Sequence, residues 1–304
     1  MLDYQRIVRA AEALDPVPIS VSRLVAIVAN DHWAFSDVEQ IISLDQALTG
    51  RLLQIANSAW SASLMPIGTV KDAIIRIGIG STVTFAVGAC VGPSMRRALP
   101  EYGLSEGELW RHSVAASLAA EILTAMSPVD VPAEAVTAAL LHDIGKLVLA
   151  RFLTPDLLRG LTEARGGGDR SMMQSETEVL GVHHGELGGL IARNWNLPDR
   201  VADAVTHHHS PDRAGDVVCD AVALANVAAK LIERRPETLD LDLEPPPGAV
   251  SRLRLGPNFL DRLCSHVSRR LEELLARYEP WADRTAARPQ RTVASPTPVR
   301  AASA

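Results

Sequence analysis

The chain has 304 residues, 47% of them hydrophobic, and a formal net charge of -6; it can bury a substantial core, and its acidic balance excludes a general attraction to nucleic acid or anionic lipid. Aromatic residues make up only 4% while Ala, Leu and Val dominate, so helices packed through small and aliphatic side chains are expected: an all-α fold. The opening Met1-Leu2-Asp3-Tyr4-Gln5-Arg6 carries charges where a signal peptide needs an apolar core, and no run approaches the roughly 18 apolar residues of a membrane span, which predicts a cytoplasmic protein.

Residues 1–100 read as a first helical region. Apolar residues recur at helical spacing in Ile19, Leu24, Ile27 and Val28, and again in Val70, Ile74, Ile75 and Ile77. Ser36-Asp37-Val38-Glu39 fits a capping box, and Asp45 is placed to cap a helix running to Ser58. In that helix Leu48, Leu52, Leu53 and Ile55 cover more than one face, so it should pack against the second region. Leu99-Pro100 closes the region.

Residues 101–233 form a second helical region, which carries every candidate ligand. Ser105-Glu106-Gly107-Glu108 fits a capping box for a helix reaching Met126, on which His112 shares a stripe with Ala115, Ala116, Ala119 and Leu123. Next comes Ala138-Ala139-Leu140-Leu141-His142-Asp143-Ile144-Gly145-Lys146-Leu147, a His-Asp doublet in an apolar helical run. Burying both groups costs several kcal/mol unless something pairs them. About 100° apart on a helix, His142 and Asp143 can reach one ion, while Gly145 lets a neighbouring helix approach. Ser175-Glu176-Thr177-Glu178 suggests another capping box. His184 then precedes Gly188 by one turn, with His183 pointing elsewhere, and His207, His208 and His209 follow. A helix from Asp216 to Leu231 carries Asp220 and Asn226, about 240° apart around the axis.

Residues 234–282 read as an appended loop and a helix at about Pro257 to Tyr278. Residues 283–304, rich in Pro, Ala, Thr, Ser and Arg, read as a disordered tail that is locally basic through Arg284, Arg288, Arg291 and Arg300. Cys90, Cys219 and Cys264 are dispersed in apolar helical context and read as free core thiols in a reducing compartment.

For each polar residue a plain and a chemical reading compete. His112 alone fits a core histidine hydrogen-bonded to a carbonyl; beside the doublet it fits a metal ligand. His142 and Asp143 either pair with His112 and His184 in a metal-free network or hold a divalent ion. Lys146 is a candidate for meeting an anionic ligand or, equally, a solvated surface lysine.

The order helix, His-Asp doublet, later histidines resembles the HD phosphohydrolase superfamily. Leu44 to Ser58 (LDQALTGRLLQIANS) and Val70 to Gly78 (VKDAIIRIG), taken with HDIGKL, Leu180 to Pro198 and His208-His209-Ser210-Pro211, resemble its HDOD (HD-related output domain) branch over about Leu14 to Leu231. One departure is Asp45-Gln46 where that branch often has Asp-Pro. The resemblance implies an all-α bundle acting as a regulatory signal-transduction module, with a signalling protein partner or a small nucleotide regulator. It also implies a metal site from His112, His142, Asp143, His184, His208 and His209 for Mn, Mg, Fe or Zn. The closing acidic ligand of the superfamily falls on Asn226, a neutral amide that binds a hard cation less well. The related HD-GYP phosphodiesterases carry Gly-Tyr-Pro where this chain has Ser210-Pro211-Asp212-Arg213. A non-catalytic module is therefore the leading expectation, and a metal-dependent phosphohydrolase acting on a nucleotide the alternative.

Overall fold

The computed structural model describes residues 4–30, 32–57, 66–165, 171–233 and 243–286, with side chains described as far as 272. Helices account for nearly all of its regular structure, as the composition predicts: among the described residues the only β pairing is an isolated bridge between Leu99 and Leu104. The first region contains α1 (Tyr4–Glu12), α2 (Ile19–Val28), α3 (Phe35–Leu44), α4 (Gln46–Ala56), α5 (Val70–Ile77) and α6 (Ile79–Met95). A 3₁₀ turn at Pro100–Tyr102 leads into α7 (Glu108–Met126), α8 (Glu134–Leu141) and α9 (Lys146–Leu149), and a second at Ala150–Phe152 into α10 (Pro155–Ala164). Then come α11 (Met172–Leu180), α12 (His184–Asn194), α13 (Asp199–His207), α14 (Pro211–Ala214), α15 (Val217–Ile232), α16 (Pro247–Arg252) and α17 (Phe259–Ala286).

Local chemistry sets most starts. Asp45 caps α4 as expected, its carboxylate accepting from the Leu48 amide at 3.0 Å and from the Ser20 hydroxyl at 2.6 Å. Gly78, at φ +86°, turns the chain by 105° between α5 and α6, a conformation open to glycine. Two of the expected capping boxes are displaced. α3 begins one residue ahead of Ser36, with Ala34 at the cap and its amide donating to Asp37. Ser175 lies inside α11, whose box is Ser171 with Gln174. In the third, the Ser105 amide donates to Glu108 at 2.9 Å, but the helix starts only at Glu108.

One apolar core runs from Ile7 to Leu271 without a break at Pro100. Contrary to expectation, α4 packs on α3, α5 and α6 within its own region; the link to the second region is made by α6 against α7 and α8, by α2 against α8, and by α1 against α9 and α12. The Asn194 side chain donates to the Glu12 carbonyl at 2.8 Å, fastening α1 to the end of α12. The appended segment holds two helices, α16 and α17, where one was expected. α17 lies on α7 and α15, buries Leu263, Val267 and Leu271, and joins α7 through Arg270 to Glu121. It continues to Ala286, past the expected start of the tail at Asp283; residues 287–304 lie outside the described residues. Cys219 is buried, Cys90 and Cys264 are half-buried, and all three are free thiols. Among the described residues no single helix is long and apolar enough to cross a membrane.

Candidate metal centre

The second region brings His112, His142, Asp143, His184, His208, His209 and Asn226 together at one point between α7, α8, α12, α13 and α15. Two close packings make this possible. α8 ends in a turn that carries His142 and Asp143, and Gly145 lies so near α12 that a Cβ there would sit 1.9 Å from the His184 carbonyl oxygen. α12 and α13 then meet through Gly185, Gly188 and Gly189, where an added Cβ would strike Thr206, Val205 or the Ala202 carbonyl. This holds His184, at the start of α12, beside His208 and His209, just past the end of α13.

Two triads of donor atoms result, His112 with His142 and Asp143, and His184 with His208 and His209; within each, all donor atoms lie within 4.8 Å of one another. Asp143 spans them. Its Oδ2 faces His142 Nε2 at 3.5 Å and His112 Nε2 at 3.7 Å, and its Oδ1 faces His184 Nε2 at 3.3 Å and His208 Nε2 at 3.9 Å. Across the centre, His112 Nε2 is 3.2 Å from His142 Nε2 and from Asn226 Oδ1, and His184 Nε2 is 3.1 Å from His209 Nε2 and 3.4 Å from His208 Nε2.

The outer ring nitrogens decide what these inner ones can do. Nδ1 of His142 donates to the Ala139 carbonyl and Nδ1 of His208 to the Val205 carbonyl, both at 2.7 Å. Nδ1 of His184 donates to Glu176 at 2.6 Å and Nδ1 of His112 to Glu233 at 2.9 Å. With the proton on Nδ1, each Nε2 turns a lone pair inward, toward other lone pairs and a carboxylate. Acceptors facing acceptors at this range repel unless protons or a cation lie between them. Protons are opposed by burial, which pushes the His142 pKa down to about 3 and that of His208 well below the usual imidazole range. For Asp143, burial raises the carboxyl, but its pKa still lies well below the usual carboxylate range, with the Lys146 ammonium the largest cause of the lowering. Imidazole lone pairs with one carboxylate, locked by outer hydrogen bonds, form a donor set that fits a divalent transition metal.

Lys146 is mostly buried and turned toward the centre. Its ammonium lies 2.6 Å from Asp143 Oδ2 and 5.8 Å from the centre of the Tyr102 ring. His183 points away from the donor atoms, as expected: it is buried and caps α12, accepting from the Glu186 amide while its own amide donates to Glu186 Oε2. Asp220 is occupied elsewhere, in a bidentate pair with Arg252 at 2.8 and 2.6 Å. Sequence reasoning passed over Glu176, Glu233 and Tyr102. Glu233 was within reach of it, since seven residues after Asn226 is two helical turns and the same face. An open groove lined by Ala26, Asn30, Arg193, Asn196 and Pro198 lies apart from the histidines.

Known proteins agree with this architecture. A candidate signal-transduction protein from Marinobacter aquaeolei matches with a TM-score of 0.68 at 22% identity, covering 87% of this chain and 59% of that one. A candidate phosphohydrolase from Shewanella amazonensis matches with a TM-score of 0.60 at 21% identity, covering 86% and 93%. At these identities the likeness is one of fold. An uncharacterized protein of Treponema pallidum is 26% identical over 232 residues, 73% of this chain but 44% of that protein, so the chain spans less than half the length of that relative. The HDOD domain model itself matches residues 14–211, from just after α1 to the start of α14, and the chain belongs to the HDOD domain family.

Proposed function

We propose that the chain is a regulatory signal-transduction module that holds a divalent cation in its histidine-aspartate cluster and acts through a signalling protein partner, without hydrolysing phosphoesters at an enzymatic rate. The observation that carries this reading is the burial of the donor set: the side chains of His142 and His208 are 0% exposed and that of Asp143 3%, with Lys146 already on Oδ2, the oxygen that faces His112 and His142. A phosphoester needs an approach to the ion and to a water bound on it, and this packing leaves little. Asn226 adds to the effect by contributing a dipole where a carboxylate would contribute charge.

When bound, a divalent ion would supply Lewis acidity and a lowered pKa for its water. The residues of the chain hold and orient: His112, His142, Asp143, His184, His208 and His209 offer the donor atoms, and Lys146 neutralises part of the charge of Asp143. A second reading, a metal-dependent phosphohydrolase acting on a nucleotide, is favoured by one observation: the His112 and Lys146 side chains, 12% and 17% exposed, open one edge of the centre to solvent.

Elemental analysis of untagged protein, together with turnover assays on cyclic di-GMP, guanosine tetraphosphate and generic phosphoesters with Mn²⁺, Mg²⁺ or Fe²⁺, separates the two. We expect a bound transition metal and only trace turnover. Asn226→Asp should tighten metal binding. Turnover near 1 s⁻¹ or faster that is lost in His142→Ala would replace the regulatory reading with the hydrolase one.

A further inference from the structure

We infer that Glu176 is the positioning residue that sets the affinity of this centre for a divalent cation, acting through His184, with Tyr102 holding its second oxygen. The inference rests on the metal-centre reading above. Glu176 sits on α11, outside the ring of donor residues, and is fully buried. Its Oε2 accepts from the His184 backbone amide at 2.8 Å and from His184 Nδ1 at 2.6 Å, and its Oε1 accepts from the Tyr102 hydroxyl at 2.8 Å. Both oxygens are therefore committed, one of them to the imidazole itself.

A carboxylate in this position does two things that a neutral acceptor cannot. It fixes the proton on Nδ1, so that the Nε2 lone pair stays aimed at His208, His209 and Asp143, and its negative charge makes that lone pair a stronger donor to a cation. The Nδ1 atoms of His142 and His208 have only backbone carbonyls for this purpose. Glu233 backs His112 in the same way, but its side chain is 21% exposed and its Oε1 has no hydrogen-bond partner among the described residues, so its hold is looser. Asn226 brings a dipole and no charge to the inner ring, where Asp143 is the one carboxylate beside the histidines. Glu176 returns a charge one layer further out, through the imidazole.

Cobalt(II) binding to the full chain, followed by its absorption bands and by calorimetry, tests this with Glu176→Gln and Tyr102→Phe. Gln keeps the shape and an acceptor for Nδ1 but removes the charge; we expect it to weaken Co²⁺ binding roughly 10–100-fold. Tyr102→Phe keeps the charge but frees one oxygen, and should weaken binding by a smaller factor. Nitrogen-15 NMR of the metal-free protein should find His184 as a single Nδ1–H tautomer in the wild type and as a mixture in Glu176→Gln, a change that a purely structural role would not produce. Wild-type affinity in a folded Glu176→Gln overturns the inference. Should that variant fail to fold, wild-type affinity in Tyr102→Phe overturns it instead. A wild type that binds no Co²⁺ defeats the metal reading as well, whereas a wild type that binds it alongside an equally tight Glu176→Gln defeats this inference alone.

Discussion

Among single residues, the buried imidazoles carry the clearest cost. With its pKa near 3 in the fold against 6.5 in the unfolded chain, His142 stays neutral while the unfolded state takes up a proton. A depressed histidine of this kind contributes its full stability above pH 6.5 and loses it as the pH falls from there toward 3. At pH 5 the loss from His142 alone is about 2 kcal/mol, and His208, shifted the same way, adds to it. Asp143 and Glu176, both lowered, lose their contributions only below about pH 4. Denaturant unfolding of chelator-treated protein at pH 7.5 and pH 5 should therefore reveal marked acid destabilisation, and His142→Gln should reduce that pH dependence by close to one proton. Parallel slopes for the two proteins would contradict the assignment. His112, His142, Asp143 and His184 were legible in the sequence because each is a strong donor in an apolar stripe. Glu176 was not: Ser175-Glu176 imitates a helix start, and only the docking of α11 on α12 reveals that the acid points into the body.

For helices, existence was easier to read than their first residues. Ala34 caps α3 without a side-chain oxygen and His183 caps α12 with a ring nitrogen, so a search for Ser, Thr, Asp or Asn misses both. The contact between the α8 to α9 turn and α12 is the element most sensitive to change. Gly145→Ala would drive a methyl group into the His184 carbonyl, which is backbone and cannot swing aside. We expect a loss of about 3 kcal/mol, measured by thermal unfolding, with weaker metal retention because His184 must move. A variant that melts within a degree of the wild type would mean that α12 is free to retreat. The turn between His184 and Gly188 was legible; the close fit of Gly185, Gly188 and Gly189 to α13 was not, because it depends on the positions of Thr206 and Val205.

At the scale of the molecule, the uninterrupted core from Ile7 to Leu271 predicts one unfolding event in place of separate melting on either side of Pro100. Calorimetric and van't Hoff enthalpies should agree; two resolved transitions would refute it. The position of that join was hard to read in the sequence, since Leu99-Pro100 looks like a stop, yet Leu99 pairs with Leu104 and the chain passes straight into the second region. The spacing of the donors along the chain also has a kinetic consequence. His184 and His209 are 25 residues apart, so the α12 to α13 hairpin can assemble its triad early, from a nascent segment. His112 and Glu233 are 121 apart and meet only once α15 has docked on α7. Closing the longer loop costs about 1.4 kcal/mol more in chain entropy, whereas the triad of His112, His142 and Asp143 spans a segment nearly as short as the histidine-only one, so during synthesis both triads should take shape before Glu233 backs His112, a late checkpoint that the whole body has assembled.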